Sequence, residues 1–348
     1  MDRKLRMGVI GLGVGRGHVK NFRDHPGAEV VAVCDTNESR VQAVAGEFGV
    51  AGRYTDAQQM FDREKLDAVS IATPNKFHAP LAINALNHGL HVLCEKPMAM
   101  NTAEALAMKA AAEKAGKNLM INFSYRYNEM SQSLKHQVKT GVLGDIYYGR
   151  SVWHRRRGIP GFGGWFCDKE LAGGGPLIDL CVHRLDLALW LMDFPTPVAV
   201  SGATFNRLGT ERAAREGKTF TVEDLAVGLV RFANGAVLVV EASWALNIGE
   251  PEHMVTTLCG TRGGLVQKNT DGGYSFAGEI YTEEDGFMYT RKLDKGSRPV
   301  PPSHHEFVNS ILEKRQPDAT ADQGIMVMRI LDALYGSAAQ KKEVTVTR

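Results

Sequence analysis

Short apolar runs alternate with longer polar segments through the first third of the chain. The runs at 5–10, 29–34, 67–72, 90–94 and 118–122 have the length and composition of buried strands, and the segments between them are typical of helices. Strands that alternate with helices of about a dozen residues indicate a parallel sheet with right-handed crossovers. Because ligands bind such a sheet beyond the carboxyl ends of its strands, the residues after each run are the first functional candidates.

Beyond residue 123, strand-like runs follow one another with turn residues between them. We predict strands at 146–155, 198–205, 226–232, 236–244, 253–259, 264–268 and 287–293. We predict helices at 127–139, 177–192, 304–314 and 323–339. Asn234-Gly235 between two apolar runs is a strong hairpin signal. This pattern indicates a second, α+β domain built on a largely antiparallel sheet.

The fold class predicted from these patterns is α/β with two domains. Residues 1–123 are expected to form an N-terminal doubly wound parallel sheet of the Rossmann type, and residues 124–348 the α+β domain. The length of 348 residues suits two domains, and the 44% of hydrophobic residues suffices for both cores.

A glycine-rich loop at 11–17 connects the first predicted strand to a helix. In such a turn the first glycine permits the tight bend, the second lets the backbone approach a pyrophosphate, and the helix N-terminus offers free N–H groups. Arg16 stands where the strict pattern has its third glycine, which leaves Gly15 or Gly17 to make the close helix–strand contact. The loop predicts dinucleotide contacts from Gly11, Gly13, Val14, Gly15 and Arg16.

Asp35 ends the second predicted strand, about 20 positions after the glycine loop. A carboxylate at this spacing accepts hydrogen bonds from the adenosine ribose and repels a 2′-phosphate, which favours NAD over NADP. The alternative is a turn or cap residue before the next helix. Arg40 lies nearby and can serve a 2′-phosphate, so NADP stays possible.

Composition narrows the classes of partner. The formal net charge of +2 gives no basic face for nucleic acid, and no apolar stretch is long enough to span a bilayer. The N-terminal apolar run is interrupted by glycines and is needed as strand and loop, so we do not interpret it as a signal peptide. The five cysteines have no close spacing, which suggests neither a disulfide framework nor a metal site. We therefore expect a cytoplasmic protein without a metal.

Two distant segments carry a cation, a carboxylate and an imidazole. Lys96 follows the strand at 90–94, and Asp179 and His183 lie four positions apart on one face of the helix after Gly173-Gly174-Gly175-Pro176. These side chains can hold or pass a proton near neutral pH, as is needed when a hydride leaves a carbon that bears a hydroxyl. The chain therefore reads as an enzyme. The plainer alternatives are a surface lysine and a core histidine.

The order of these motifs resembles the glucose-fructose oxidoreductase and inositol dehydrogenase family, called Gfo/Idh/MocA, over essentially the whole chain. The resemblance rests on the glycine loop, Asp35, Thr73-Pro74-Asn75 with His78, Glu95-Lys96-Pro97, and Gly173 to Asp179 with His183 and Asp186. It implies NAD(P)-dependent oxidation or reduction of a CH–OH group of sugars, cyclitols and related polyols. It also implies oligomer contacts, in a homodimer or homotetramer, through the open sheet of the second domain.

The resemblance also implies roles for individual residues. Lys96 becomes the cation near the nicotinamide, Asp179 the carboxylate on the substrate and His183 the acid–base group, with a cis bond before Pro97. Asp186 either orients the His183 imidazole or lies one turn deeper. Further cofactor contacts are expected from Arg40, Thr73, Pro74, Asn75, His78, Glu95 and Lys96.

An arginine- and aromatic-rich segment at 153–166 precedes the helix that carries Asp179. Aromatic faces can carry a pyranose ring and arginines can donate to several hydroxyls, although solvated arginines and core aromatics are an equal alternative. The expected substrate-binding residues are Lys96, Arg126, Tyr127, Arg155, Arg157, Trp165, Asp179 and His183. Weaker candidates are Trp244, His304 and His305.

Three functional hypotheses follow from these residues. The first is an NAD(P)-dependent dehydrogenase in which His183 takes the proton of a ring hydroxyl while Lys96 stabilises the alkoxide-like oxygen. The second is oxidation of a glycoside coupled to elimination of its aglycone. The third is a cofactor-sensing regulator, which has no need of the lysine, aspartate and histidine together.

Overall fold

The computed structural model describes residues 3–294 and 299–346, and their contacts form two compact units. The first unit contains residues 3–123 and 301–328, and the second contains 124–294, 299–300 and 329–346. The sequence interpretation assigned 301–328 to the second domain. In the structure this segment packs on the first sheet, where the Ile121 amide donates to the Ala319 carbonyl at 3.1 Å.

The strands and helices are numbered in chain order. The strands are β1 Leu5–Ile10, β2 Ala28–Cys34, β3 Gly52–Tyr54, β4 Ala68–Ile71, β5 His91–Cys94, β6 Leu119–Ile121, β7 Ile146–Arg155, β8 Pro197–Phe205, β9 Leu225–Phe232, β10 Val237–Ser243, β11 Glu252–Gly260, β12 Gly263–Thr270, β13 Ser275–Glu284, β14 Phe287–Leu293 and β15 Val344–Thr345. The α-helices are α1 Gly15–Arg23, α2 Glu38–Phe48, α3 Ala57–Arg63, α4 His78–Asn87, α5 Thr102–Ala115, α6 Glu129–Lys139, α7 Lys169–Ala172, α8 Val182–Leu191, α9 Arg207–Glu216, α10 Ser303–Leu312 and α11 Ala321–Gln340.

The first unit is built on a parallel sheet of order β3-β2-β1-β4-β5-β6. Strand β4 and most of β1 and β5 are buried, because helices cover a doubly wound sheet on both faces. Side-chain caps fix the helix starts, as at Asn101, whose side chain accepts from the Glu104 amide at 3.0 Å. The prediction of a Rossmann-type parallel sheet is confirmed.

The second unit is built on an open sheet of order β14-β13-β12-β11-β7-β10-β9-β8-β15. Strands β7 and β10 pair in parallel and all other neighbours pair antiparallel, which confirms the predicted largely antiparallel sheet. Gly235 closes the predicted β9–β10 hairpin with φ +85°. Helices α6 and α8 cover one face through a core that includes Leu134, Leu187 and Leu258.

Some elements have no clear signal in the sequence. Strand β13 and helix α9 were not predicted, because β13 ends in a polar run and the charged sequence of α9 buries only Gly209 and Ala213. The predicted helix at 177–192 occurs in two parts, a π-helical turn at Leu177–Cys181 followed by α8. π-Helical turns of this kind are frequent at functional sites. Within the two described ranges, no helix combines the length and apolarity needed to cross a membrane.

Candidate active site

The glycine loop follows β1 and bends tightly against the end of β4. Gly11 has φ +84°, and a Cβ there would lie 2.5 Å from the Ala72 carbonyl oxygen, so both the conformation and the contact require glycine. A Cβ at Gly15 would lie 3.1 Å from the side chain of Val9, whereas one at Gly17 would meet no atom within 4 Å. Gly15 therefore makes the close helix–strand contact that the sequence left between Gly15 and Gly17.

The start of α1 fits a pyrophosphate. Its N-cap residue is Val14, which provides no side-chain acceptor and is 64% exposed, and a Cβ at Gly13 would meet no atom within 4 Å. Uncapped amides at the N-terminus of a helix, beside a backbone open to close approach, form an anion-binding site. Arg16 lies on the same turn and pairs with Glu47 at the surface.

Asp35 is linked to the glycine loop. Its carboxylate accepts hydrogen bonds from the Leu12 amide at 2.7 Å and the Asn37 amide at 2.9 Å, and Arg40 donates to it at 3.0 Å. Burial by itself would raise the pKa of Asp35, but the two amides and the Arg40 guanidinium together lower it. A fixed negative charge therefore lies directly beside the loop, at the carboxyl end of β2.

Two further loops reach the same edge of the sheet after β4 and β5. Thr73, Pro74 and Asn75 follow β4, and His78 begins α4. The His78 ring is fully buried, with Nδ1 2.7 Å from the Pro97 carbonyl oxygen and Nε2 2.9 Å from that of Thr73. His78 was predicted as a cofactor contact. In the structure its ring lies inside the unit and joins these two loops, because both ring nitrogens face backbone carbonyls.

Glu95 and Lys96 form the loop after β5, and the Lys96–Pro97 bond is cis. The Glu95 carboxylate accepts from the Asn122 side chain and lies 3.1 Å from Nε2 of His18, while the Lys96 amide donates to it at 3.2 Å. Burial opposes the charge, but His18, Lys96 and Asn122 lower the pKa of Glu95 to about 2. Glu95 therefore ties the lysine loop to α1 through an ionised carboxylate.

Asp179 and His183 lie in the second unit, on the π-helical turn and the first turn of α8. Both are partly exposed, while Leu180, Cys181 and Val182 between and beside them are buried. The Trp244 indole donates to the Asp179 carboxylate at 3.0 Å.

The His183 ring has two aromatic neighbours. Its centroid lies 4.8 Å from that of Tyr125 and 5.7 Å from that of Trp153. The carboxylate and the imidazole are thus lined by three aromatic side chains.

Asp186 does not orient His183. Its carboxylate forms a two-point ion pair with Arg126, with a 2.9 Å bond from Nε, and both side chains are 1% exposed. The Arg126 guanidinium also lies 5.1 Å from the ring of Phe194. Arg126 was predicted to contact the substrate, but it is a buried partner of Asp186. Of the two alternatives given for Asp186, the structure shows the second: Asp186 lies one turn deeper than His183. It pairs there with Arg126, because a buried guanidinium requires a carboxylate.

The remaining substrate candidates differ in their surroundings. Arg155 donates to Glu252 at 2.9 Å and lies 5.3 Å from the Trp153 ring. Arg157 is exposed and donates to the Asn247 side chain at 2.7 Å. Trp165 stacks on Phe166 at 3.8 Å, and Tyr127 is half-buried. His304 and His305 lie in the first unit and contact the rings of His18 and His25.

Family models match most of the chain. Residues 5–123 match the family model of oxidoreductases with an NAD-binding Rossmann fold, and residues 131–266 match the GFO/IDH/MocA C-terminal domain. The chain belongs to the GFO/IDH/MocA family. This GFO/IDH/MocA protein is thus an NAD-binding oxidoreductase, as the resemblance of its motifs implied.

Relatives of this GFO/IDH/MocA oxidoreductase extend over its whole length. It is 37% identical to D-glucoside 3-dehydrogenase of Escherichia coli (strain K12), a match that covers 96% of this chain and 95% of the relative. Its fold is similar to an oxidoreductase domain protein from Kribbella flavida, with a TM-score of 0.88, 27% identity and 100% of each chain covered. It is also similar to a levoglucosan dehydrogenase in complex with NADH and L-sorbose, with a TM-score of 0.87, 25% identity and 100% coverage of both.

Several residues beside the candidate residues of this GFO/IDH/MocA oxidoreductase, in one unit or the other, were not recognised in the sequence. His18 is the one with a local signal, because it lies in the first turns of the helix that follows the glycine loop. Tyr125, Glu252 and Glu223 reach the site from distant segments, and no spacing in the sequence links them to Asp179. Trp244 was a weak candidate, and its indole contacts Asp179 directly.

Proposed function

We propose that this oxidoreductase transfers a hydride between NAD and a secondary ring hydroxyl of a pyranoside, with a D-glucoside as the first candidate. The observation that carries the proposal is the partly exposed pair Asp179 and His183, which lies beside the aromatic rings of Tyr125, Trp153 and Trp244. A carboxylate beside an imidazole suits two neighbouring hydroxyls of a pyranose, and the buried Trp244 indole holds the carboxylate in place. The 37% identity to a D-glucoside 3-dehydrogenase supports a glucoside and its 3-hydroxyl.

The proposed catalytic residues are Lys96, Asp179 and His183. His183 accepts the proton of the hydroxyl that is oxidised, and Asp179 accepts a hydrogen bond from a neighbouring hydroxyl. The Lys96 ammonium stabilises the alkoxide-like oxygen as its negative charge develops. Bound NAD⁺ supplies the hydride acceptor. In the opposite direction His183 returns the proton to a keto-sugar.

The proposed cofactor-binding residues surround the carboxyl ends of four strands of the first unit. The uncapped start of α1 and the open backbone at Gly13 suit the pyrophosphate, and Asp35 suits the ribose hydroxyls. The proposed set is Gly11, Gly13, Val14, Gly15, Arg16, Asp35, Arg40, Thr73, Pro74, Asn75, Glu95 and Lys96. For the substrate we propose Lys96, Tyr127, Arg155, Arg157, Trp165, Asp179 and His183.

Cofactor preference is expected to depend on the charge of Asp35. Asp35→Asn keeps one of the two oxygens, so it can still accept from the Leu12 or the Asn37 amide, and it removes the charge that pairs with Arg40. We expect the ratio of kcat/KM for NADP⁺ over NAD⁺ to rise at least about tenfold, because a removed repulsion at close range is worth about 1–4 kcal/mol. Steady-state assays with both cofactors measure this ratio. The double variant that also carries Arg40→Ala should lose the gain, and an unchanged ratio in Asp35→Asn would remove Asp35 from the ribose site.

The open sheet of the second unit also supports a proposal about assembly. Alternate residues of β9 and β10 are buried, and those between them, including Val227, Leu229 and Val239, are apolar and only partly exposed. We propose that this face of the open sheet joins copies of the chain into a homodimer or homotetramer.

All five cysteines are among the described residues and are free thiols, which is consistent with the cytoplasm.

A substrate screen tests the proposed function. Glucosides, free pyranoses and inositols are offered with NAD⁺, and reduced nicotinamide is followed by its absorbance. We expect turnover with glucosides, with a keto-glycoside as the product. Release of the aglycone in proportion to NADH would favour coupled elimination instead. Tight NAD binding without turnover on the entire panel would contradict an oxidoreductase of ring hydroxyls.

A further inference from the structure

The segment Gly173-Gly174-Gly175-Pro176 leads into the helix of Asp179 and His183 without a side chain that can cap it. The first amides of a helix need acceptors, and three glycines and a proline supply none from their side chains. Glu223, 46 residues later, provides one: its carboxylate accepts from the Leu177 amide at 3.0 Å. The Tyr335 hydroxyl donates to the same oxygen at 2.8 Å.

The Glu223 carboxylate is shielded from water. Burial raises the pKa of Glu223, and the hydrogen bond from the Leu177 amide opposes this. Burial also raises the pKa of the Tyr335 hydroxyl well above its usual value. Glu223 is 8% exposed, so water does not replace it easily as an acceptor.

The glycines before the helix have a physical reason in this contact. A Cβ at Gly174 would lie 2.0 Å from the Tyr335 hydroxyl, and one at Gly175 would lie 2.0 Å from the Glu223 carbonyl oxygen. Neither distance is possible for a real side chain. The absence of side chains at Gly174 and Gly175 therefore lets Glu223 and Tyr335 pack directly against the start of the helix.

We propose that Glu223 and Tyr335 are positioning residues that hold the first turn of the catalytic helix and thereby aim Asp179. Glu223 accepts a hydrogen bond from the Leu177 amide, and Asp179 lies only two residues further along the chain. If this turn frays, the Asp179 carboxylate therefore moves away from the Trp244 indole. His183 lies one turn further along and moves less. This inference rests on the proposed function of Asp179.

The next residue in the chain supplies a matched control. The Asp224 carboxylate accepts from the Gly209 amide at 2.7 Å and so caps α9, which likewise has no side-chain cap of its own. Asp224 is 2% exposed, and α9 carries none of the proposed site residues. The adjacent buried carboxylates of Glu223 and Asp224 thus cap two different helices. Of these two helices, only the one that Glu223 caps bears Asp179.

The experiment compares Glu223→Ala with Asp224→Ala, with Glu223→Gln and Tyr335→Phe as graded variants. We expect Glu223→Ala to lower kcat by on the order of 10- to 100-fold, because a displacement of about 1 Å has effects of this size. The dissociation constant for NADH, measured by fluorescence titration, should stay unchanged. The kcat of Tyr335→Phe should lie between those of the wild type and Glu223→Ala. Glu223→Gln should keep most of the wild-type kcat, because its amide oxygen still accepts from the Leu177 amide. Asp224→Ala should keep kcat.

Hydrogen exchange supplies a second measurement that does not depend on turnover. Amides at 177–183 should lose protection in Glu223→Ala and keep it in Asp224→Ala. If Glu223→Ala and Asp224→Ala lost kcat or protection to the same extent, the inference would be overturned. General destabilisation would then explain the effect of Glu223→Ala. A wild-type protein that turns over no sugar would contradict the proposed function alone, and hydrogen exchange would then still decide whether Glu223 holds this turn.

Discussion

His183→Ala is expected to lower the turnover of sugar oxidation by on the order of 10²–10⁴-fold, the usual contribution of a positioned acid–base group. His183 lies on the same helical segment as Asp179, and its imidazole contacts the rings of Tyr125 and Trp153. The substitution therefore removes the proposed proton acceptor and leaves these two rings in place. Steady-state assays measure kcat. Fluorescence titration should give an unchanged dissociation constant for NADH, because the proposed cofactor residues belong to the other unit.

The other two proposed catalytic residues give companion results. Lys96→Ala and Asp179→Asn should reduce kcat in the same direction, and a His183→Ala/Asp179→Asn double variant should be little worse than the poorer single variant, because residues that act as one unit are not additive. His136→Ala changes a histidine of α6 outside the proposed site and should retain full turnover. Near wild-type rates in His183→Ala would eliminate its acid–base role.

Asp186→Ala is expected to destabilise the protein by about 3–5 kcal/mol, because it leaves the Arg126 guanidinium buried without its carboxylate. Both side chains are 1% exposed, so water cannot replace the lost partner. Urea denaturation followed by circular dichroism measures the free energy of unfolding. The double variant Arg126→Leu/Asp186→Leu removes both charges and should recover most of the loss.

A surface pair provides the comparison for this effect. Arg212 and Glu216 form an ion pair between exposed side chains on α9, and Arg212→Ala should cost less than about 1 kcal/mol. If Asp186→Ala unfolded at the same urea concentration as the wild type but lost turnover, Asp186 would act on His183 after all.

The fold followed from the sequence wherever short-range pattern decides structure. The predicted bounds of β7 and β14 match those observed, and β1, β2, β4, β5 and β6 differ from their predictions by at most one residue at each end, whereas the short strand β3 was not predicted. The strands of the first sheet are mostly buried, so their apolar runs carry the signal, whereas β14 is exposed along most of its length. Helix α9 was missed because its charged sequence buries little apolar surface.

The sequence offers candidate site residues where one segment supplies both the backbone geometry and the chemistry. The glycine loop, Asp35, Lys96 and the spacing of Asp179 and His183 are candidates of this kind, and their roles stay predictions. Arg126 and His78 were assigned to ligands, yet their partners are Asp186 and two backbone carbonyls. A side chain's type gives its chemistry, but its partner depends on which distant segments pack beside it.

The sequence by itself determined the alternation of strands and helices, the glycine loop that only glycine can form, and the inventory of proton-carrying side chains, because these depend on neighbours within a few residues. Tertiary structure alone decided that 301–328 packs with the first unit and that Asp186 belongs to Arg126. It also decided that Glu223 caps the helix of Asp179. Each of these contacts joins residues far apart in the chain, where burial selects the partner and local pattern carries no information.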